Sequence, residues 1–369
     1  SGLGIYFHNI QLFPFNQFFQ WKYDVNGVAD ISLTAAGPPD SLRIQGYVDL
    51  LNFALNKDKI GDLTAKLTYA DNKIQFDRFY FEHAPGSFLS LQGDIVLPAS
   101  PKANEPTPSM QLEERFNIRL EFADIKLSDY PFLSQQNYPF NGVFDGKFKV
   151  EGTLSRFLAN YNFNAQHVQY REYIFPEIHL NGFMNPEAIV LEDGIINFMG
   201  TKISVQGEKP IQWNYQQLDS IFMNQEFSLQ IQMQEDSIKF LNVLTPEVDL
   251  LTGEIFASFD VGGTLEQPRF LSGRFDIKNG SLYLSKIENP FTDIQFKSNI
   301  EENKLIIQQC QAYSSGDITK KGILQRITSF LTTPIRKVFF TQQGEGELNI
   351  NGNIDFADMF RPNIALKIQ

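Results

Sequence analysis

The chain has 369 residues, with 31 basic and 43 acidic side chains, a formal charge of -12 and 42% hydrophobic residues. That apolar content excludes intrinsic disorder, and the acidic balance excludes a dedicated nucleic-acid binder, which needs clustered Lys and Arg to neutralise phosphate. Phenylalanine dominates the aromatics, with 35 Phe against 13 Tyr and 2 Trp, and the single Cys precludes an internal disulfide.

No run approaches the roughly 18 apolar residues of a membrane span, and Ser1-Gly2-Leu3 lacks a charged region followed by an apolar one. A membrane anchor or targeting signal is therefore expected only outside this piece. One thiol leaves the redox compartment open.

Along the chain, Asn26-Gly27 and Asp71-Asn72 read as early turns between strands. Residues 98–109, rich in Pro, form a surface loop. Ile118, Leu120 and Phe122 then alternate with Arg119 and Glu121, and Phe148 and Val150 with Lys147, Lys149 and Glu151. Because successive strand side chains point to opposite faces, these are half-buried antiparallel strands with one wet side. Asn141-Gly142, Asp193-Gly194 and Asn279-Gly280 read as further hairpin turns, and Phe227, Leu229, Ile231 and Met233 as another one-sided strand. Asp236 opens a short amphipathic helix stopped by Thr245-Pro246, and a second helix is expected from about Lys320 to Thr333. Leu348, Ile350, Ile354 and Phe356 close the series with strand alternation.

A long internal repeat organises these elements. Ile10, Leu12, Asn26-Gly27 and Gly37 recur at a spacing of 115 as Ile125, Leu127, Asn141-Gly142 and Gly152. Gly142, Phe148, Val150 and Gly152-Thr153-Leu154 recur at 111 as Gly253, Phe259, Val261 and Gly263-Thr264-Leu265. The units are 1–115, 116–230, 231–340 with a helical insertion at about 318–334, and 341–369 as the start of a truncated fourth. A strand plus turn of about a dozen residues gives roughly eight strands per unit. About 25 strands would span on the order of 120 Å, more than an open sheet usually reaches without curling. The expected fold is mostly β: an elongated, strongly curved antiparallel sheet built of long repeats, with a few short amphipathic helices.

The stretch from Leu251 to Leu284 carries a resemblance. Gly253 opens an alternating strand, Gly263-Thr264-Leu265 followed by Pro268 turns the chain, and a second alternating strand runs to Asn279-Gly280; Asp293-Ile294-Gln295-Phe296 fits the next strand. This resembles the repeating unit of the TamB and AsmA-like family, most strongly at residues 251–300. It is weaker in the first unit, where Gly37-Pro38-Pro39 replaces Gly-Thr-Leu, and the insertion after Gly316 departs from the simple repeat.

The resemblance implies a taco-like or bridge-like groove that conducts phospholipids or other acyl-chain lipids between the inner and outer membranes of a Gram-negative envelope. The chain would be a periplasmic segment of a longer inner-membrane-anchored protein, linked to outer-membrane protein assembly through an Omp85-type partner. The groove lining expected from the alternation and this family is Phe148, Val150, Phe163, Ile255, Ala257, Phe259, Val261, Phe275, Ile277, Leu348 and Ile350. A sandwich core would use the same alternation. The alternative function is accordingly a structural or adhesive all-β repeat protein with a closed protein core and no lipid cargo; a chorein-type bridge is a third reading.

Lys320, Lys321, Ile323, Leu324, Arg326, Ile327, Phe330 and Leu331 would form a basic amphipathic helix that gates the groove or lies on anionic lipid. The plainer reading is a helix capping the sheet, with Arg336 and Lys337 on its solvated edge. His8, His83, His167 and His179 have no close metal-ligand spacing and Cys310 has no partner Cys. Carboxylates lie mostly on wet faces without a distinguishable acid/base pair, and Gly344-Glu345-Gly346 precedes strand pattern rather than a phosphate-binding helix. Neither an enzyme nor a cofactor is expected.

Overall fold

The computed structural model describes residues 2–16, 24–38, 41–56, 58–97, 114–129, 140–170, 173–213, 226–239, 248–264, 267–285, 287–314, 346–355 and 363–368. They form 19 strands. The first nine are β1 (Gly2–Gln11), β2 (Val25–Ala36), β3 (Arg43–Leu55), β4 (Asp58–Ala70), β5 (Lys73–Ala84), β6 (Ser87–Val96), β7 (Arg115–Lys126), β8 (Phe140–Thr153) and β9 (Phe157–Tyr170). Next come β10 (Tyr173–Met184), β11 (Ala188–Phe198), β12 (Thr201–Pro210), β13 (Phe227–Ile238) and β14 (Val248–Gly263). The last are β15 (Pro268–Leu284), β16 (Ile287–Glu301), β17 (Lys304–Ser314), β18 (Gly346–Asp355) and β19 (Asn363–Ile368). The described residues also contain two 3-10 turns, Phe13–Phe15 and Leu127–Asp129, and no complete α-helix.

The chain divides into two compact units. Unit 1 comprises Ser1–Ile174, Ile178–Ile189 and Gln212–Gln216; unit 2 comprises Phe175–Glu177, Val190–Ile211 and Gln217–Gln369. In unit 1, β1 to β9 form an antiparallel meander in which each strand pairs with its chain neighbour. In unit 2, β12 to β19 do the same.

Neither sheet is closed or strongly curled, which corrects the strongly curved sheet expected from the sequence. That expectation rested on too many strands.

The strands are fewer because they are longer, reaching 17 residues in β15. The Asn-Gly pairs read as hairpin turns lie inside strands instead: Asn26-Gly27 in β2, Asn141-Gly142 in β8 and Asn279-Gly280 in β15, while Asp193-Gly194 lies in β11. At the first two, the Gly N–H donates to the preceding Asn Oδ1 at 2.8 Å and the glycine takes a positive φ, 134° and 153°. Register shifts mark both as bulges, where one strand carries an extra residue and bends. The tight turns are elsewhere. Asp71-Asn72 and Glu302-Asn303 have paired positive φ values, the geometry whose twist matches the flanking strands.

The repeat seen in the sequence has a structural counterpart of six strands rather than eight. At a spacing of 115, β1 to β6 fall on β7 to β12, and at 111, β7 to β9 fall on β13 to β15. The same turn recurs three times, with Ser41 N–H donating to Pro38 O, Arg156 to Thr153 O and Gln267 to Thr264 O. The preceding glycines Gly37, Gly152 and Gly263 all have positive φ, so Gly37-Pro38 builds the turn that Gly-Thr builds in the other copies. Bulges repeat as well: the Asn9 amide donates to Asp30 Oδ1 and the Asp124 amide to Asp145 Oδ1, both at left-handed residues.

The start of the helix expected at Asp236 is a correction too, because Asp236 to Ile238 end β13, while residues 240–247 lie outside the described residues. Alternating residues on a strand that pairs with β14 outweigh a short helical periodicity. The expected helix at 320–333 and the loop at 98–109 lie outside the described residues.

Candidate functional site

Residues directly opposite in an antiparallel pair share a face, so the registers trace one apolar surface across unit 1. It starts with Leu3, Ile5 and Phe7 of β1, opposite Ala35, Leu33 and Ile31 of β2. Leu33 and Ile31 face Gly46 and Val48 of β3, which face Leu67 and Ala65 of β4. The line continues through Phe76 and Phe79 of β5 and Gly93 and Leu91 of β6 to Ile118 and Leu120 of β7. Val150 and Phe148 of β8 and Ala159 and Tyr161 of β9 complete it. Most of these side chains are half-buried, and Leu3, Ile5, Phe7, Leu33 and Leu67 are exposed, Leu3 at 68%.

At β7 to β9 the face is aromatic around a glycine. Gly146 lies between Phe122 and Phe163 in register, and a Cβ there would come within 2.5 Å of the Phe122 ring. Phe122 stacks near Phe148 with centroids 6.1 Å apart, and Phe144 near Phe163 at 5.8 Å. The missing side chain lets the rings lie low over the backbone.

The opposite face is polar. Lys147 pairs with Glu121 at 2.9 Å, Lys149 with Glu151 at 2.6 Å and Lys73 with Asp94 at 3.4 Å. Such partly exposed pairs keep the face wet but add little stability, roughly 0 to 1 kcal/mol each.

Unit 2 places the same alternation in a different setting. Ile255 and Ala257 of β14 face Ile277 and Phe275 of β15. Ile255, Ala257 and Ile277 are buried in a cluster with Met233, Ile238, Leu251, Phe291, Ile294 and Ala312, against which Phe259, Phe275 and Phe296 pack. Val261 is buried as well. On the polar side Arg274 contacts the buried Asp276, and this hydrogen bond and charge raise the guanidinium pKa further above its ordinary value. Cys310, opposite Phe296, is free, and burial pushes its thiol pKa up to about 11.

The expected lining therefore falls into two settings. Phe148, Val150 and Phe163 sit on the half-open face of unit 1, while Ile255, Ala257, Phe259, Phe275 and Ile277 sit in or against the unit 2 cluster and Val261 is buried in β14. In β18, Leu348 lies opposite Ala312 in register and Ile350 is half-buried opposite Ile368. The basic segment with Lys320, Lys321, Ile323, Leu324, Arg326, Ile327, Phe330 and Leu331 lies outside the described residues. Sequence reasoning passed over Leu3, Ile5, Phe7, Ile31, Leu33 and Val48. Their alternation was detectable, but Ala29, Ala35 and Gly46 dilute it.

Two histidines have clear local partners: His83 contacts Ile60 O through Nδ1 at 2.6 Å, with Asp129 3.7 Å from Nε2, and His179 Nδ1 lies 2.6 Å from Asn164 Oδ1. Among the described residues no group of three or more His, Cys, Asp or Glu could hold a metal ion. No family model, curated protein or solved structure matches the chain.

Proposed function

We propose that the chain is a segment of a bridge-like lipid transfer protein of the TamB and AsmA-like kind, conducting phospholipid acyl chains along the apolar face of its sheet between the inner and outer membranes of a Gram-negative envelope. The observation that carries this reading is the unit 1 face, apolar from β1 to β9 and open to solvent at Leu3, Ile5, Phe7, Leu33 and Leu67. Apolar area left in water is unfavourable by about 25 cal/mol per Å², and a contiguous patch of this kind marks an interaction surface. Acyl chains fit it because the face offers flat hydrocarbon and aromatic contact with few directional groups, so a bound chain can slide. The periplasmic location, the link to outer-membrane protein assembly through an Omp85-type partner and the absence of enzymatic chemistry belong to the same proposal.

A test is transfer of a fluorescent phospholipid between donor and acceptor vesicles. The full chain should accelerate it, and the pair Leu33→Asp with Phe148→Asp should abolish the acceleration while the far-ultraviolet circular dichroism of the β-sheet persists. Unchanged transfer by that variant overturns the reading. The structural all-β alternative draws on the unit 2 cluster, where side chains of the chain itself cover the alternating face. It predicts no transfer by the unsubstituted chain.

A further inference from the structure

The repeat places the same chemistry at two bulges. Asn26-Gly27 in β2 and Asn141-Gly142 in β8 occupy equivalent places, and Val follows each pair. The register passes over both glycines. In β2 it runs from Asn26 opposite Ala54 to Val28 opposite Leu51, and in β8 from Asn141 opposite Gln169 to Val143 opposite Gln166. A bulged residue leaves the ladder, and its N–H needs another acceptor. The preceding Asn supplies it, with Oδ1 2.8 Å from the glycine nitrogen at both places. Because Cγ is one bond from Oδ1, that nitrogen already sits near the separation of a reactive encounter with the side-chain carbonyl carbon.

The surroundings favour reaction there. Asn26 and Asn141 are exposed, so water reaches them, and glycine puts no side chain beside the attacking nitrogen. Nor does the bulge need the asparagine, since the third copy has Thr252 before Gly253, which keeps a positive φ of 123°. Asn279-Gly280 has the same dipeptide in a different setting. There the Asn Oδ1 accepts from Gln295 Nε2 of β16 at 3.0 Å, and Gly280 lies opposite Ile294 in register. The carbonyl is engaged by the neighbouring strand.

We infer that Asn26 and Asn141 are sites of spontaneous modification in the folded chain, through a cyclic succinimide. The glycine nitrogen gives up its proton and bonds to the Asn Cγ, the Cγ–Nδ2 bond breaks, and ammonia leaves with a proton. Water then opens the ring at either carbonyl, which yields aspartate or isoaspartate without any oxidant or reductant. Both products add a carboxylate where β2 and β8 bend, and isoaspartate also lengthens the main chain by a methylene. The inference rests on the bulge geometry and is independent of the lipid reading.

The test incubates the full chain at pH 8 and follows each Asn-Gly peptide by mass spectrometry, with electron-transfer fragmentation to separate aspartate from isoaspartate. In the folded chain, product should form at 26 and 141 roughly tenfold or more faster than at 279, with isoaspartate among the products and a rate that rises with pH. In urea the three rates should converge, because the dipeptide is shared and the bulge is gone. Asn26→Thr, which copies the third repeat, should keep the far-ultraviolet circular dichroism and remove product at position 26 while leaving position 141 unchanged. A folded-state rate at 26 or 141 that does not exceed the rate at 279, a contrast that persists in urea, or aspartate without isoaspartate would each overturn the inference.

Discussion

The two units carry the same alternation and cover it differently. In unit 1, Leu33 and Phe148 belong to a face whose members stay half-buried or exposed; in unit 2, Ile255 and Ile277, on strands of the same repeat, are 1% and 5% exposed inside a packed cluster. Period-two patterning therefore fixes which side of a sheet is apolar but not what lies against it. Both units lay Phe rings beside a glycine, Phe122 at Gly146 and Phe259 at Gly273. Unit 2 differs in that Ile, Leu, Met and Ala join Phe291 in one buried cluster.

A charge is the harshest way to break this contrast. Ile255→Asp buries an unpaired carboxylate and should destabilise unit 2 by roughly 4 kcal/mol or more, whereas Leu33→Asp on the open face should cost about 1 kcal/mol or less. Hydrogen exchange should show β14 and β15 losing protection in the first variant and β2 and β3 keeping it in the second. Equal losses would show that both faces are equally covered.

Truncation gives a smaller effect of the same sign. Ile277→Ala should cost roughly 3 kcal/mol through the cavity it leaves, and Leu33→Ala about 1 kcal/mol or less because much of Leu33 already meets water. Denaturant titration followed separately in each unit measures the difference. Backbone demands can be separated from coverage within unit 1. Gly93, at φ 141° with its Cβ direction blocked by Asn117 O, should lose about 2 kcal/mol as Gly93→Ala. At Gly46 the nearest atom is Leu33 Cδ1 at 3.9 Å, so Gly46→Ala should stay within about 0.5 kcal/mol.

The smallest effect is confined to high pH. Burial raises the Cys310 pKa from its ordinary 9.0 to about 11, so the folded chain holds the thiol proton more tightly than the unfolded chain. The stability from this group is present below pH 9.0 and is lost as pH rises through about 11. Alkylation by iodoacetamide should accordingly stay slow at pH 9 and accelerate only towards that value, and Cys310→Ser should remove this component of the pH dependence. Fast alkylation at pH 8 would place Cys310 on an open surface like that of unit 1.

Much of this was legible in the sequence. Alternation in Phe148-Lys149-Val150 and Ile255-Phe256-Ala257 marks the faces, and the glycines at 37, 152 and 263 mark the repeat. The length of the strands was not. Asn-Gly is chemically suited both to a tight turn and to a bulge, because Asn accepts from the next amide and Gly tolerates positive φ. Only pairing with the neighbouring strands decides for the bulge at Asn26-Gly27 and Asn141-Gly142. Strand count, and with it the expected curl, followed from an average of about a dozen residues for strand plus turn, shorter than the strands that form. The division between open face and filled cluster was equally hidden, since alternation marks the apolar side of a strand without showing how far its side chains are covered.

The central claim is that acyl chains cover the unit 1 face. It is tested most directly by placing a photo-crosslinking residue at Phe148 or at its chain neighbour Lys147 and illuminating the chain with phosphatidylethanolamine and phosphatidylglycerol vesicles carrying a radiolabelled acyl chain. Strong lipid labelling from position 148 with background labelling from 147 is the expected result. Equal labelling from the two positions, or none from 148, would contradict it.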